Sequence, residues 1–330
     1  MSKLCITLAF SDYDRVSALA SGQVQPDGID LNFLTLPVEE TFFRMARHQE
    51  FDVAEMSLST YCVTMARQTA PFIAIPVFPS RVFRHGSIFV STRSGIAEPQ
   101  QLSGKRLACP EYQMTGPVWI RGILSDDYGV KVTEAEHFNG GIEQPGRDEK
   151  IKIELPPSIR LSNVGPDKII AKMLADGEVD VLLAARPPST LHSRPQDVRR
   201  LFPNYAEVER EYYRRTKIFP IMHTVVMRRD VYEANRWIAQ SLLKAFVEAQ
   251  RKAYRDLSES HAFKTMLPWL PSHVEEVKRE MGDDWWPYGF ARNRHTLDTF
   301  LRYHHEQGLS PRRLQPEELF APESLESSLI

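Results

Sequence analysis

Arg81-Val82-Phe83-Arg84-His85 puts two guanidinium groups and an imidazole within five residues. Arginine carries a planar fork of donors that grips a carboxylate bidentately and stays charged. Histidine exchanges protons near neutral pH. Together they suit a substrate with carboxylates and a proton to move. The apolar run Phe72-Ile73-Ala74-Ile75-Pro76-Val77-Phe78 precedes them, and Ser87-Ile88-Phe89-Val90-Ser91 follows. Both runs read as buried strands, and strand ends present side chains to ligands in α/β proteins. A solvated basic loop with a structural histidine is the competing explanation of the same segment.

Similar side chains recur where other strands should end. Glu55 and Ser57 follow one short apolar run, and Glu111 and Thr115 follow another. Asp14 lies just past the first expected strand, Arg186 precedes Pro187-Pro188, and His223 closes Ile218-Phe219-Pro220-Ile221-Met222. Arg81, Arg84 and Arg186 are the candidate carboxylate clamps, with Ser57, Glu111, Thr115 and Asp14 as further substrate contacts. His85 and His223 are the candidate proton-transfer groups. Glu55 and Glu111 can orient an imidazole or accept a proton from a phenol. Trp119 and Arg121 read as helix face and core, Trp285-Trp286-Pro287-Tyr288 as packing, and His304-His305 as surface.

An alternating chain must position these groups. Residues 4–10 read as a strand, with Ser11 or Asp12 capping the next helix. Residues 29–36 alternate into a second strand, and Pro37 opens a helix with Val38, Phe42, Met45 and Ala46 at helical spacing. Residues 51–56 read as a third strand, followed by a helix over 58–67 started by Ser57 or Ser59. This βαβα order predicts a parallel sheet. The turn-rich stretch 91–104 reads as the passage into a second lobe. That lobe has strands at 105–110, 130–138 and 179–184, and helices at 117–128 and 167–174. Residues 144–157 are charged and irregular. Residues 218–227 return the chain to the first lobe. A long helix follows, with Ile238, Leu242, Ala245, Ala249 and Ala253 on one stripe. A final helix is expected near 297–307.

The pattern predicts an α/β, two-lobed, periplasmic-binding-protein-like (type II) architecture with a ligand cleft between the lobes. Lobe 1 should combine residues 1–92 with 220–330, and lobe 2 should hold 93–219. The chain's 330 residues suffice for one large domain or two ordinary ones. Its 41 basic and 43 acidic residues give a net charge of -2, with no surplus for nucleic acid. Cys5, Cys62 and Cys109 show no CxxC spacing, against a disulfide framework or a thiolate metal site. Residues 1–15 resemble neither a secretory signal nor an anchor, and no apolar run approaches the ~18 residues of a spanning helix. A cytoplasmic protein is the expectation.

Several long blocks carry a resemblance. They are His48-Gln49-Glu50-Phe51-Asp52-Val53-Ala54-Glu55-Met56-Ser57, Ile75-Pro76-Val77-Phe78-Pro79-Ser80-Arg81 with Phe83-Arg84-His85, and Pro110-Glu111-Tyr112-Gln113-Met114-Thr115 with Trp119-Ile120-Arg121-Gly122. Ile218-Phe219-Pro220-Ile221-Met222-His223 and Trp286-Pro287-Tyr288-Gly289 complete the set. Over nearly the whole chain it resembles the 4,5-dihydroxyphthalate decarboxylase family. The resemblance implies a cytoplasmic, cofactor-independent carboxy-lyase on a solute-binding-protein-like fold, converting 4,5-dihydroxyphthalate to protocatechuate and CO2. It carries no assignment of catalytic residues. The expected partners are a small aromatic carboxylate and further copies of the chain, with no nucleic acid, membrane or metal.

Such a reaction needs a base at the phenol, an acid at the ipso carbon and cations for the carboxylates. The ring is its own electron sink, so no pyridoxal or thiamine cofactor is required. Three alternatives stay open. One is a cytoplasmic binding protein or sensor for a small aromatic carboxylate. Another is a metal-assisted decarboxylase using Glu55, His85 and His223, although no HxH or HxxxH spacing supports it. The third is a decarboxylase of this fold with a different substrate.

Overall fold

The computed structural model describes residues 2–67 and 70–326. Its strands are β1 (Leu4–Phe10), β2 (Ile29–Thr35), β3 (Val53–Ser57), β4 (Phe72–Ile75), β5 (Ile88–Ser91), β6 (Arg106–Cys109), β7 (Glu136–Asn139), β8 (Arg160–Asn163), β9 (Val181–Leu183), β10 (Val198–Arg200) and β11 (His223–Arg228). They form two sheets, ordered β2-β1-β3-β11-β4 and β10-β5-β9-β6-β7-β8. Each sheet has one strand running against its neighbours: β11 lies antiparallel to β3 and β4, and β5 to β9 and β10. These are the first strands formed after each crossing between sheets. The result is a two-lobed α/β fold.

Local sequence explains most of the first sheet. Helix Val38–His48 buries Thr41, Phe42 and Met45 and carries Glu39 and Glu40 in its first turn, where the helix dipole favours acids. It ends at Gln49 in the left-handed region, φ 51°. Helix Asp14–Ala20 departs from expectation. Its N-cap is Tyr13, not Ser11 or Asp12, and no side chain caps it. The Tyr13 hydroxyl is engaged elsewhere, on Glu55.

Two further expectations fail for reasons of pairing. Residues 130–138 do not form one strand. A 3₁₀ turn occupies Val132–Glu134, and only Glu136–Asn139 pairs, because its neighbour β6 offers just four residues. The strand expected at 87–91 belongs to the second sheet, so the crossing precedes residue 88 and not residue 93. The segment before it forms one isolated β-bridge to the returning chain, Arg81 to Ile221, with further backbone hydrogen bonds from Val82 to Pro220 and from Met222 to Ser80.

The sheets share a core. Tyr112, Val118, Trp119 and Ile123 join the same buried cluster as Leu8, Val53, Ile75 and Val225. Trp119 meets the Phe300 ring at a tilt and the Tyr303 ring edge-on, both on helix Arg294–Glu306, at centroid distances of 5.3 and 5.7 Å. Its indole N–H donates to the Ile221 carbonyl at 2.8 Å. Arg121 donates to Gln307 at 2.7 Å and to the Tyr112 carbonyl at 2.6 Å. Gly122 is required there, since a Cβ would stand 2.1 Å from the Tyr303 ring. Among the described residues no helix is long and apolar enough to cross a membrane.

Candidate active site

β3 and β11 bring the proton-transfer candidates together. Ser57 lies opposite His223, and Glu55 opposite Val225. Opposed residues of an antiparallel pair share a face. His223 Nδ1 donates to Glu55 Oε1 at 2.6 Å, and the Tyr13 hydroxyl donates to the same oxygen at 3.0 Å. Glu55 is fully buried, whereas the His223 side chain keeps 17% exposure. Burial, reinforced by the Glu55 charge, pushes the Tyr13 phenol well above its ordinary range, so it remains a donor. The Phe42 ring meets the imidazole edge-on at 4.8 Å. His223 Nε2 has no protein partner among the described residues, which leaves it open to a substrate.

The opposite wall is the start of helix Thr115–Tyr128. Thr115 Oγ1 is 2.8 Å from Ser57 Oγ and accepts from the Ser59 amide at 3.0 Å, so these hydroxyls tie β3 to the helix. Ser57 therefore supplies no side-chain cap to its own helix. The N-cap of the 14-residue helix is Met114, which caps nothing either. Uncapped amides and the positive end of the helix dipole favour an anion. Arg84 lies across this point. A Cβ on Gly116 would sit 3.3 Å from Arg84 Nε and 3.4 Å from its Cζ. The guanidinium, 7% exposed, donates among the described residues only to the Met222 thioether, at 2.9 and 3.2 Å. Burial pushes it down to about 10, with Glu209 opposing, so it is still a cation at neutral pH. A buried cation hydrogen-bonded to a thioether, with Glu209 acting on it only through its charge, is electrostatically incomplete.

Other expected residues lie elsewhere. Arg81 already has protein partners for its guanidinium. It donates to the Phe219 and Pro287 carbonyls at 2.9 Å each and to Asn293 Oδ1, pinning the crossing to the C-terminal tail. His85 lies away from the Glu55–His223 pair. Its ring packs 5.2 Å from Tyr212 and 5.6 Å from Phe202 and backs a separate depression with Asp127 and Tyr128. Burial and then the Arg215 charge push it down to about 4. Glu55, His85 and His223 therefore do not gather as a metal site, and no group of three or more such ligands exists among the described residues. Glu111 is fully buried against Lys150 at 2.5 Å and Arg147 at 2.7 Å, so its charge is already matched. Arg186 is exposed and lines a cleft of about 520 Å³ with Glu39, Phe43, Met114 and Arg147. Asp14 is exposed and pairs with Arg15 at 2.9 Å.

Sequence reasoning passed over Arg15 as a site residue. Its Cζ lies 4.1 Å from the Tyr13 ring centroid and 4.7 Å from that of Trp286. The one available signal was its place just after β1, in the stretch 12–15 expected to face the cleft, which the structure puts at the start of helix Asp14–Ala20. His304, expected at the surface, is fully buried against Ser310.

Burial of neutral imidazoles has a consequence for stability. Desolvation pushes His85 and His137 down to about 4, and His304 to about 3. Between those values and the ordinary value of 6.5 the unfolded chain binds more protons than the folded one. Stability is therefore complete above about pH 6.5 and is lost as pH falls toward 4. Calorimetric melting should show Tm falling across that window, and a flat Tm would contradict these buried neutral rings.

No protein-family model matches the chain. A 4,5-dihydroxyphthalate decarboxylase of Comamonas testosteroni is 44% identical over 330 residues, covering 100% of both chains. One of Pseudomonas putida is 40% identical over 214 residues, 65% of this chain and 83% of its own. Among solved structures, the periplasmic aliphatic sulphonate binding protein SsuA from Escherichia coli superposes with a TM-score of 0.52 at 13% identity, covering 98% of this chain and 99% of that one. The alkanesulfonate-binding protein SsuA from Xanthomonas axonopodis gives 0.51 at 11% identity, covering 98% of each chain. These structures share the fold and nothing finer. With whole-length identity at that level to a decarboxylase, the chain belongs to the 4,5-dihydroxyphthalate decarboxylase family, on a periplasmic-binding-protein-like fold.

Proposed function

We propose that this protein decarboxylates 4,5-dihydroxyphthalate to protocatechuate and CO2, with His223 as the proton donor. The observation that carries the reading is the Glu55–His223 pair, standing open at the strand ends of a chain 44% identical throughout to a decarboxylase of that name. Each carboxylate of this substrate has a hydroxyl para to it. Ionising that hydroxyl pushes an electron pair toward the ipso carbon. The His223 imidazolium, held by Glu55 through Nδ1–H, gives its Nε2 proton to that carbon and forms a dienone. The bond to the carboxylate then breaks, its electron pair restores the aromatic phenolate, and CO2 leaves. The phenol proton returns at the end, so one proton is consumed per turnover.

Arg84 and the Thr115–Tyr128 N-terminus hold the retained carboxylate in this scheme. The departing carboxylate lies toward Phe42 and the apolar cleft wall of Phe43 and Met114, where becoming neutral CO2 is favoured. Ser57 and Thr115 fix the distance between the two walls. The lobes we propose follow the sheets, with crossings at 76–87 and 201–222. We extend the reading to a cytoplasmic homo-oligomer. Its support is the free thiols of Cys5, Cys62 and Cys109, which suit a reducing compartment, and the exposed Met266 and Trp269. Cell fractionation and light scattering test these two points.

The test of function is protocatechuate and CO2 release from 4,5-dihydroxyphthalate by dialysed, chelator-treated protein. Binding without turnover would favour a binding protein, and turnover only after metal is restored would favour metal assistance. The clamp has its own test. Arg84→Ala should raise KM by about 10- to 100-fold, the loss of one charge-assisted hydrogen-bonded contact. Gly116→Ala should raise KM as well with Tm nearly kept, because its methyl group displaces the guanidinium. Unchanged KM in both variants would remove Arg84 from the site.

A further inference from the structure

The structure assigns Arg15 a direct role in the reaction: its guanidinium receives the substrate oxygen para to the leaving carboxylate, as a phenolate. This rests on the decarboxylation reading and adds the group that creates the electron-rich ring.

The scheme needs the phenol to ionise, and the carboxylates expected to take its proton are not free to do so. Glu55 Oε1 already accepts from His223 and Tyr13, and Oε2 is buried without a partner, out of reach of a ligand. Glu111 is neutralised by Lys150 and Arg147. A cation that stabilises the phenolate replaces a base, because a nearby positive charge lowers the phenol's own pKa and water carries the proton away.

Arg15 is built for that task. It opens the helix after β1, beside the tyrosine that bonds Glu55. Its Nε donates to the Pro79 carbonyl, and Nη1 donates to Asp14 at 2.9 Å. Nη2 has no protein partner among the described residues. The guanidinium lies between the Tyr13 and Trp286 rings, at 4.1 and 4.7 Å. Trp286 is itself fixed, donating Nε1 to the Phe78 carbonyl at 2.8 Å. The fork is thus held rigid, with one arm free and 18% of the side chain exposed. Its ion-pair partner Asp14 is 56% exposed and offsets little of its charge. A phenolate placed against Glu55 instead would meet a like charge. Arg84 and Arg15 therefore bracket the ring, the first at the retained carboxylate and the second at the ionised hydroxyl.

Ligands that differ only in these groups separate a substrate contact from a supporting role. Phthalate carries the carboxylates without hydroxyls, whereas protocatechuate carries hydroxyls. Arg15→Met should lower kcat by about 100-fold or more. It should weaken protocatechuate binding and abolish the red-shifted catecholate absorbance of the bound ligand, while leaving phthalate affinity within about twofold of the parent. Arg15→Lys, which keeps the charge, should recover part of both. Equal weakening of both ligands, or an unchanged kcat, would overturn the assignment. If the parent protein binds 4,5-dihydroxyphthalate yet releases no CO2 from it, the decarboxylation reading fails, and the contrast between phthalate and protocatechuate still decides whether Arg15 meets the hydroxyl.

Discussion

His223→Gln lowers kcat by about 100- to 10,000-fold and leaves KM within a few-fold of the parent, because a general acid acts on the rate and not on binding. The amide keeps polarity and approximate size and can still donate to Glu55, so the local fold is preserved. What it cannot do is deliver a proton to carbon. Protonation of the ipso carbon as the slow step also gives the parent enzyme a solvent deuterium isotope effect on kcat. Steady-state kinetics in water and in deuterium oxide check both points. His85→Gln is the control: its ring packs on Tyr212 and Phe202, so the change should lower Tm and leave kcat near normal. If His85→Gln instead abolishes turnover while His223→Gln does not, the proton donor has been misassigned.

These two histidines show where sequence stops informing. Val38, Phe42 and Met45 announce their helix by spacing, and β1 and β2 announce themselves by their apolar runs. Such signals are local, so the βα order was legible, whereas the sheet that the apolar run 88–91 would join was not. His223 and Glu55 are 168 residues apart and meet only through the antiparallel register of β11 on β3. Arg81 and Arg84 look alike in an irregular segment without periodicity. What separates them is the arrival of Pro287 and Asn293 at Arg81, from more than 200 residues away. Strands β8 and β10 were missed because they are short and polar, as sheet edges often are. Helix Tyr205–Thr216 was hidden for a related reason, since only Tyr212 of its residues is buried. Glu111 stood at the expected strand end, but its partners come from the charged stretch 144–157, whose fold no local pattern specifies.

That stretch gives the largest expected effect on stability. Glu111→Gln should destabilise the fold by about 3–5 kcal/mol, the typical cost of breaking a buried ion pair from one side. Glu111 is fully buried and accepts from Lys150 Nζ at 2.5 Å, from Arg147 Nη2 at 2.7 Å and from the Lys150 amide at 3.2 Å. The Lys150 side chain is only 4% exposed, so its ammonium would be left in the core without a counter-charge. The damage would also spread across the cleft. Arg147 reaches Glu39 at 3.4 Å, and Arg47 donates to the Lys150 and Glu149 carbonyls at 3.1 and 3.2 Å. The loop over 144–157 is thus fastened to helix Val38–His48 from the opposite lobe, and it should become cleavable by protease once Glu111 is lost. Urea unfolding measures the first effect and limited proteolysis the second. The double change Glu111→Leu with Lys150→Met should recover most of the stability, since apolar replacement of both partners removes the stranded charge. A double variant no more stable than Glu111→Gln would mean that lost packing sets the cost, and not the unpaired ammonium.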